Sequence, residues 1–217
     1  MIRGAAFDMD GLMFDTENLT YRLQAEILER DFGVSYSLSD YKKTVGKRTE
    51  DLLPFFKNIC GEDFDNALFR ARCREAYISY TDKFGVPIKK GLFELLDFLK
   101  EKGVRLALST STTRKSAERT LRVSNTLGYF DALVCAEDVK SGKPDPEPFR
   151  RAAEKLGLEP KDCAALEDSI NGIKSAYSAG LVPIMVPDLI EPTEEIRPMC
   201  RFILTDLAQA INIFDKI

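Results

Sequence analysis

Three carboxylates, Asp8, Asp10 and Asp15, stand directly behind a short apolar run in the string AAFDMDGLMFDTE, Ala5 to Glu17. The run from Ile2 to Phe7 is apolar apart from Arg3 and Gly4 and shows no helical stripe. Asp and Gly follow it at once, which predicts a buried strand ending near Asp10. Side chains of a strand alternate faces, so Asp8 and Asp10 project to the same side, roughly 6 to 7 Å apart at Cα. Two such carboxylates repel and lose hydration unless a cation or a proton lies between them. That need is met by Mg²⁺, commonly held by one or two carboxylates plus a substrate phosphate. The same residues also suit a turn and a helix cap, and a DxD pair taken alone leaves both readings open.

Three later strings carry further polar groups. RLALS runs into Thr110, Ser111, Thr112 and Thr113. Hydroxyls and freed backbone N–H groups before a helix can hold an anion, with the helix N-terminus adding favourable potential, although an ordinary Ser/Thr cap reads the same way. SGKPDPEPF sets Lys143 between Gly142 and Pro144 ahead of a helix. A lysine there can hold a phosphate oxygen and offset clustered carboxylates, or lie on the surface. ALEDSINGI places Glu167 and Asp168 at the end of an apolar stretch, where an acidic pair calls for a cation. An N-cap role for Asp168 or Ser169 is compatible with that.

These residues need a frame that brings them to one place. Leu19, Leu23, Ile27 and Leu28 recur at helical spacing before Gly33; a second helix opens at Thr49-Glu50-Asp51, and a third runs from about Phe64 to Thr81. No strand pattern interrupts this block, which is too long for a loop and reads as an inserted helical domain. From Val86 helices and strands alternate, with strands at Val104 to Leu108, Ala132 to Cys135, Cys163 to Leu166, Val182 to Val186 and Phe202 to Leu204. Helices are expected over Gly91 to Lys102, about Thr113 to Asn125, Pro146 to Leu156 and Asn171 to Ala179, with one more at the end. Alternation of this kind predicts a parallel sheet with crossover helices, whose ligands bind at the carboxyl ends of the strands. Each polar string falls at such an end.

Composition narrows the chemistry. The 217 residues contain no histidine, which removes His-based acid–base catalysis, His-containing triads and His-rich metal sites. What is left is carboxylates, lysine, hydroxyls and a hard metal. Five cysteines, with no CxxC spacing, predict reduced, mostly buried thiols. A net charge of −4, with the pairs Lys42-Lys43, Lys47-Arg48 and Lys89-Lys90 scattered, argues against nucleic acid as a partner. No apolar segment reaches membrane-spanning length and the N-terminus reads as a strand, so neither a membrane span nor a signal peptide is expected, and a cytoplasmic location follows.

Taken together the four strings resemble the four motifs of the haloacid dehalogenase superfamily, in order and at ordinary spacing. FDMDGLMFDTEN resembles the first, the hydroxyls after RLALS the second, KPDPEPF the third and ALEDSINGI the fourth. The resemblance covers nearly the whole chain and is nearest to the β-phosphoglucomutase-like branch. It implies an α/β fold, a Rossmann-like parallel core with helices on both faces at residues 1–14 and 85–217, plus an α-helical cap at 15–84. It further implies that Asp8 attacks phosphorus to form an aspartyl-phosphate and that Asp10 serves as acid and then base. Mg²⁺ would be held by Asp8, the backbone carbonyl of Asp10 and Asp168, with Glu167 nearby, while Thr110 and Lys143 hold phosphate oxygens and Ser111 neighbours them. The dehalogenases of the superfamily are similar in the first aspartate but lack the second. β-Phosphoglucomutase carries a cap histidine where this chain has Thr20, and in VGKRTEDLL the arginine, Arg48, stands one position earlier than in the mutase pattern. The expected activity is therefore a phosphatase of a small phosphorylated metabolite, a sugar phosphate, with Gly46, Lys47 and Arg48 as candidate specificity residues and a monomer as the expected state. The alternatives are a phosphosugar mutase and a non-catalytic phosphometabolite-binding protein.

Overall fold

The computed structural model describes all residues except Arg48, Asp215 and Ile217, and all side chains except those and Thr49 and Glu50. The chain divides into two compact units, Met1–Asp15 with Val86–Ile217, and Thr16–Gly85. In the first, strands β1 (Gly4–Phe7), β2 (Arg105–Ser109), β3 (Ala132–Val134), β4 (Cys163–Glu167), β5 (Val182–Met185) and β6 (Phe202–Ile203) form one sheet in the order β3-β2-β1-β4-β5-β6. Every pairing is parallel.

Strand β1 is buried along its whole length, which is why its residues do not alternate apolar and polar. Ala5 and Phe7 join Leu106, Leu108 and Leu166 on one face, covered by α5 (Leu92–Glu101), α6 (Arg114–Val123) and α9 (Ala208–Phe214). Ala6, Ala107 and Ala165 face the other way, under α7 (Glu147–Leu156) and α8 (Ile170–Ala179). Alanine at all three central positions lets Phe149 and Ala153 of α7 sit close on the sheet. The α/β parallel architecture thus agrees with the sequence pattern. Strand order reverses between β1 and β4, and the crevice at such a reversal is where ligands of open α/β sheets bind.

Two local expectations are corrected. β1 ends at Phe7, not near Asp10. Beyond the last ladder contact, Asp8 N to Leu166 O at 3.0 Å, the chain folds back through Met13 N to Met9 O and Gly11 N to Phe14 O, a turn made possible by Gly11 at φ +87°. The departing and returning segments are then tied together by Asp15 N to Pro87 O and Lys89 N to Met13 O. The cysteines are free, but only Cys135 and Cys163 are buried; Cys60, Cys73 and Cys200 are half-buried. Burial still pushes the Cys163 thiol up to about 11, so it is protonated at neutral pH.

The second unit comprises α1 (Thr16–Phe32), α2 (Leu38–Lys42), α3 (Thr49–Cys60) and α4 (Asn66–Phe84). Its interior is aromatic: Phe56 lies with its ring centroid 5.6 Å from that of Phe64 and 5.0 Å from that of Phe69. The short α2 carries a capping box in which the Ser37 side chain and Asp40 satisfy each other's backbone N–H groups. Among the described residues, no helix is long and apolar enough to cross a membrane.

Candidate active site

The carboxyl ends of β1, β2 and β4 bring together Asp8, Asp10, Thr110, Lys143, Glu167 and Asp168. Lys143 is the centre of the group. Its Nζ donates to Asp8 Oδ1 at 2.5 Å, Glu167 Oε1 at 2.6 Å and the Ser109 carbonyl at 2.9 Å. All three ammonium protons are used. The side chain is 7% exposed, and its ammonium nitrogen lies 4.9 Å from the centroid of the Phe149 ring. The Lys143–Pro144 peptide is cis.

Glu167 is fully buried and occupied at both oxygens. Besides Lys143, it accepts from Asp168 N, Ser169 N and Ser169 Oγ through Oε2, each at 2.9 Å. Ser169 Oγ in turn caps α8 by accepting from Gly172 N at 3.0 Å. The two functions left open for this string by its residues, acid pair and helix cap, are therefore combined. A Cβ at Gly172 would stand 1.8 Å from Glu167 Cδ. Gly172→Ala is expected to destabilise the fold by about 1 to 3 kcal/mol through forced repacking, read as a lower urea midpoint; an unchanged midpoint would count against this packing.

Asp10 accepts from Thr112 Oγ1 at 2.8 Å, and Thr112 N donates to Thr110 Oγ1 at 3.1 Å, so the hydroxyl string reaches the first carboxylates. Thr110, exposed Ser111 and Lys143 line a pocket of about 210 Å³ together with Ala136, Gly142 and Pro148. Gly46 and Lys47 lie on the second unit, both exposed; Arg48 falls outside the described residues. Thr112, and the Ser109 carbonyl as a lysine acceptor, went unassigned in the sequence, although the run of hydroxyls marked the segment.

Oxygens of Asp8, Glu167 and Asp168 lie within 4.8 Å of one another. One ammonium faces these three carboxylates, an imbalance that a hard, oxygen-liganded divalent cation corrects. The residues present therefore fit Mg²⁺. Burial pushes the Asp8 carboxyl up to about 8, against the lowering effect of Lys143 and with Glu167 and Asp10 adding to the rise. Asp168 is likewise raised, first by burial and then by Glu167 and Asp8. Because the folded protein holds these protons where the unfolded chain has released them, metal-free stability should fall as pH rises from about 4 to about 8. Lys143, itself raised from 10.5, contributes equally throughout that window. Melting temperatures across this range, with and without Mg²⁺, check the sign: a metal-free profile that rises with pH would refute it.

The comparisons with known proteins identify the family. A family profile of haloacid dehalogenase-like hydrolases matches residues 5–186. The chain is 33% identical over 177 residues to the phosphorylated carbohydrates phosphatase of Thermotoga maritima, covering 81% of this chain and 80% of that one. It is 31% identical over 210 residues to hexitol phosphatase B of Escherichia coli (strain K12), 95% and 90% being covered. Among solved structures, a candidate beta-phosphoglucomutase from Thermotoga maritima superposes with a TM-score of 0.85 at 27% identity, over 100% of both chains. CbbY from Rhodobacter sphaeroides in complex with phosphate gives 0.78 at 25%, over 96% of both. With most of its length matched by the family profile and its relatives named as phosphatases, the chain belongs to the haloacid dehalogenase-like hydrolases.

Proposed function

We propose that the protein is a Mg²⁺-dependent phosphatase that hydrolyses a small phosphorylated metabolite, a sugar phosphate, through an aspartyl-phosphate on Asp8. The observation that carries this reading is the single buried ammonium of Lys143 joining Asp8 to Glu167 beside Asp168. Named relatives that act on phosphorylated carbohydrates and hexitol phosphates favour the substrate class.

In this reading an Asp8 carboxylate oxygen attacks phosphorus, the ester P–O bond breaks, and Asp10 gives its proton to the departing alcohol. Asp10, now a carboxylate, takes a proton from a water whose oxygen attacks the same phosphorus; the Asp8–phosphorus bond breaks, and inorganic phosphate leaves. Thr112 orients Asp10 through their 2.8 Å hydrogen bond. Lys143 holds Asp8 in line and spreads positive charge toward the equatorial oxygens, with Thr110 and Ser111 lining the phosphate side. Asp8, Asp168 and the Asp10 carbonyl would hold Mg²⁺, which when bound offsets charge between nucleophile and phosphate. Glu167, with both oxygens occupied, acts on Lys143 and the turn before α8. Gly46, Lys47 and Arg48 supply candidate contacts for choosing the substrate.

The test is phosphate release with Mg²⁺ from a panel of sugar phosphates, nucleotides and phosphorylated acids. Turnover of a narrow subset of sugar phosphates is expected. Isomerised product without released phosphate would overturn the phosphatase in favour of a mutase; no reaction with any member would leave a binding role.

A further inference from the structure

Asp188 lies in the loop just after β5, next to β4 in the sheet. Its side chain is 6% exposed. Oδ1 accepts from Lys89 Nζ at 2.6 Å, but Oδ2 is buried and has no hydrogen-bond partner among the described residues. A buried carboxylate oxygen without a donor is unfavourable, so it marks a place where a donor is expected. The place is defined by Gly11. A Cβ built there would lie 2.3 Å from Asp168 Oδ2 and 3.4 Å from Asp188 Oδ2, so both carboxylates border the same small volume. Lys89 engages the other oxygen, Oδ1, and its own backbone N–H is fixed to the Met13 carbonyl.

We propose that Asp188 is an outer positioning residue of the metal centre: its Oδ2 accepts a hydrogen bond from a water in the hydration shell of the cation held by Asp8 and Asp168. Lys89 offsets the charge that Asp188 adds. The inference rests on the Mg²⁺ reading given above. Groups that orient metal-bound ligands from behind are known to matter for affinity by one or two powers of ten.

The two partners of this ion pair should then act in opposite directions. Purified full-length protein, stripped of metal, is titrated with Mg²⁺ in a calorimeter without substrate, and its melting temperature is recorded. Asp188→Asn is expected to weaken Mg²⁺ binding about tenfold while the metal-free protein melts no lower than wild type. Lys89→Met leaves Asp188 uncompensated, so the metal-free protein should melt lower while Mg²⁺ binds at least as tightly as in wild type. Asp188→Asn binding within about twofold of wild type, or equal losses of affinity in both variants, would overturn the proposal and leave a pair that only closes the loop. Asp168→Asn separates the two levels of argument. If it loses binding and Asp188→Asn does not, the Mg²⁺ reading stands and only Asp188 falls; if wild type binds no Mg²⁺, both fall.

Discussion

Asp8→Asn is expected to lower phosphate release by about four orders of magnitude or more, since removal of a covalent nucleophile costs on that scale. The amide keeps the shape of the carboxylate but cannot attack phosphorus. It also removes a charge that burial disfavours so strongly that the carboxyl is pushed up to about 8. Loss of activity and loss of stability should therefore separate: at pH 8 without Mg²⁺, the variant should unfold at a urea concentration no lower than wild type. Glu167 still pairs with Lys143 at 2.6 Å, so the ammonium keeps one carboxylate partner. Retention of more than about one hundredth of the wild-type rate would remove Asp8 from the nucleophile's role.

Lys143→Met should damage both properties at once. It strips the counter-ion from Glu167, which is fully buried, and from Asp8. Breaking a buried pair from one side typically costs about 3 to 5 kcal/mol, because the remaining charge is left without compensation. Loss of a preorganised donor at the reacting centre should also slow turnover about a hundredfold to a thousandfold. Adding Glu167→Gln to Lys143→Met removes one stranded charge while an amide oxygen can still face the Ser169 hydroxyl and the two backbone N–H groups. The double variant should regain about 2 kcal/mol or more of the lost stability and none of the activity. Urea denaturation of the two single variants and the double variant gives the coupling directly. Strict additivity, or a Lys143→Met protein as stable as wild type, would show that the lysine is not the keystone of the carboxylate group.

Much of this arrangement was legible in the sequence because the polar strings interrupt apolar segments at the ends of strands. Asp8, Thr110 and Glu167-Asp168 each follow a buried run, and a parallel sheet brings such ends to one edge. The α/β class was readable from the same alternation. What periodicity could not reveal depended on three-dimensional partners. That Glu167 grips Lys143 and three donors of the following turn depends on which rotamer fits beneath Gly172, and spacing carries no information on that. The expectation that β1 runs to near Asp10 took the Asp-Gly pair as the strand's end, whereas the chain leaves the ladder after Phe7 and Met9, Leu12 and Met13 are buried in the turn around Gly11. Helix α2 is only five residues long, too short to display a period. Asp188 sat after a recognised strand, yet without a neighbouring glycine or a second acid nothing distinguished it from a loop aspartate.

The place of β1 in the sheet has a consequence for how the protein is born. Both of its neighbours come much later in the chain, β2 beginning at Arg105 and β4 at Cys163. During synthesis at about 5 to 20 residues per second, the segment carrying Asp8 waits roughly 10 to 30 s before its second partner has emerged. Until β2 has emerged Ala5, Ala6 and Phe7 have two unpaired edges, and from then until β4 has emerged they have one. The segment carrying Asp8 thus leaves the ribosome long before it can be enclosed, and any nascent chain that stops short of β4 presents an apolar strand to chaperones instead of a working catalytic centre.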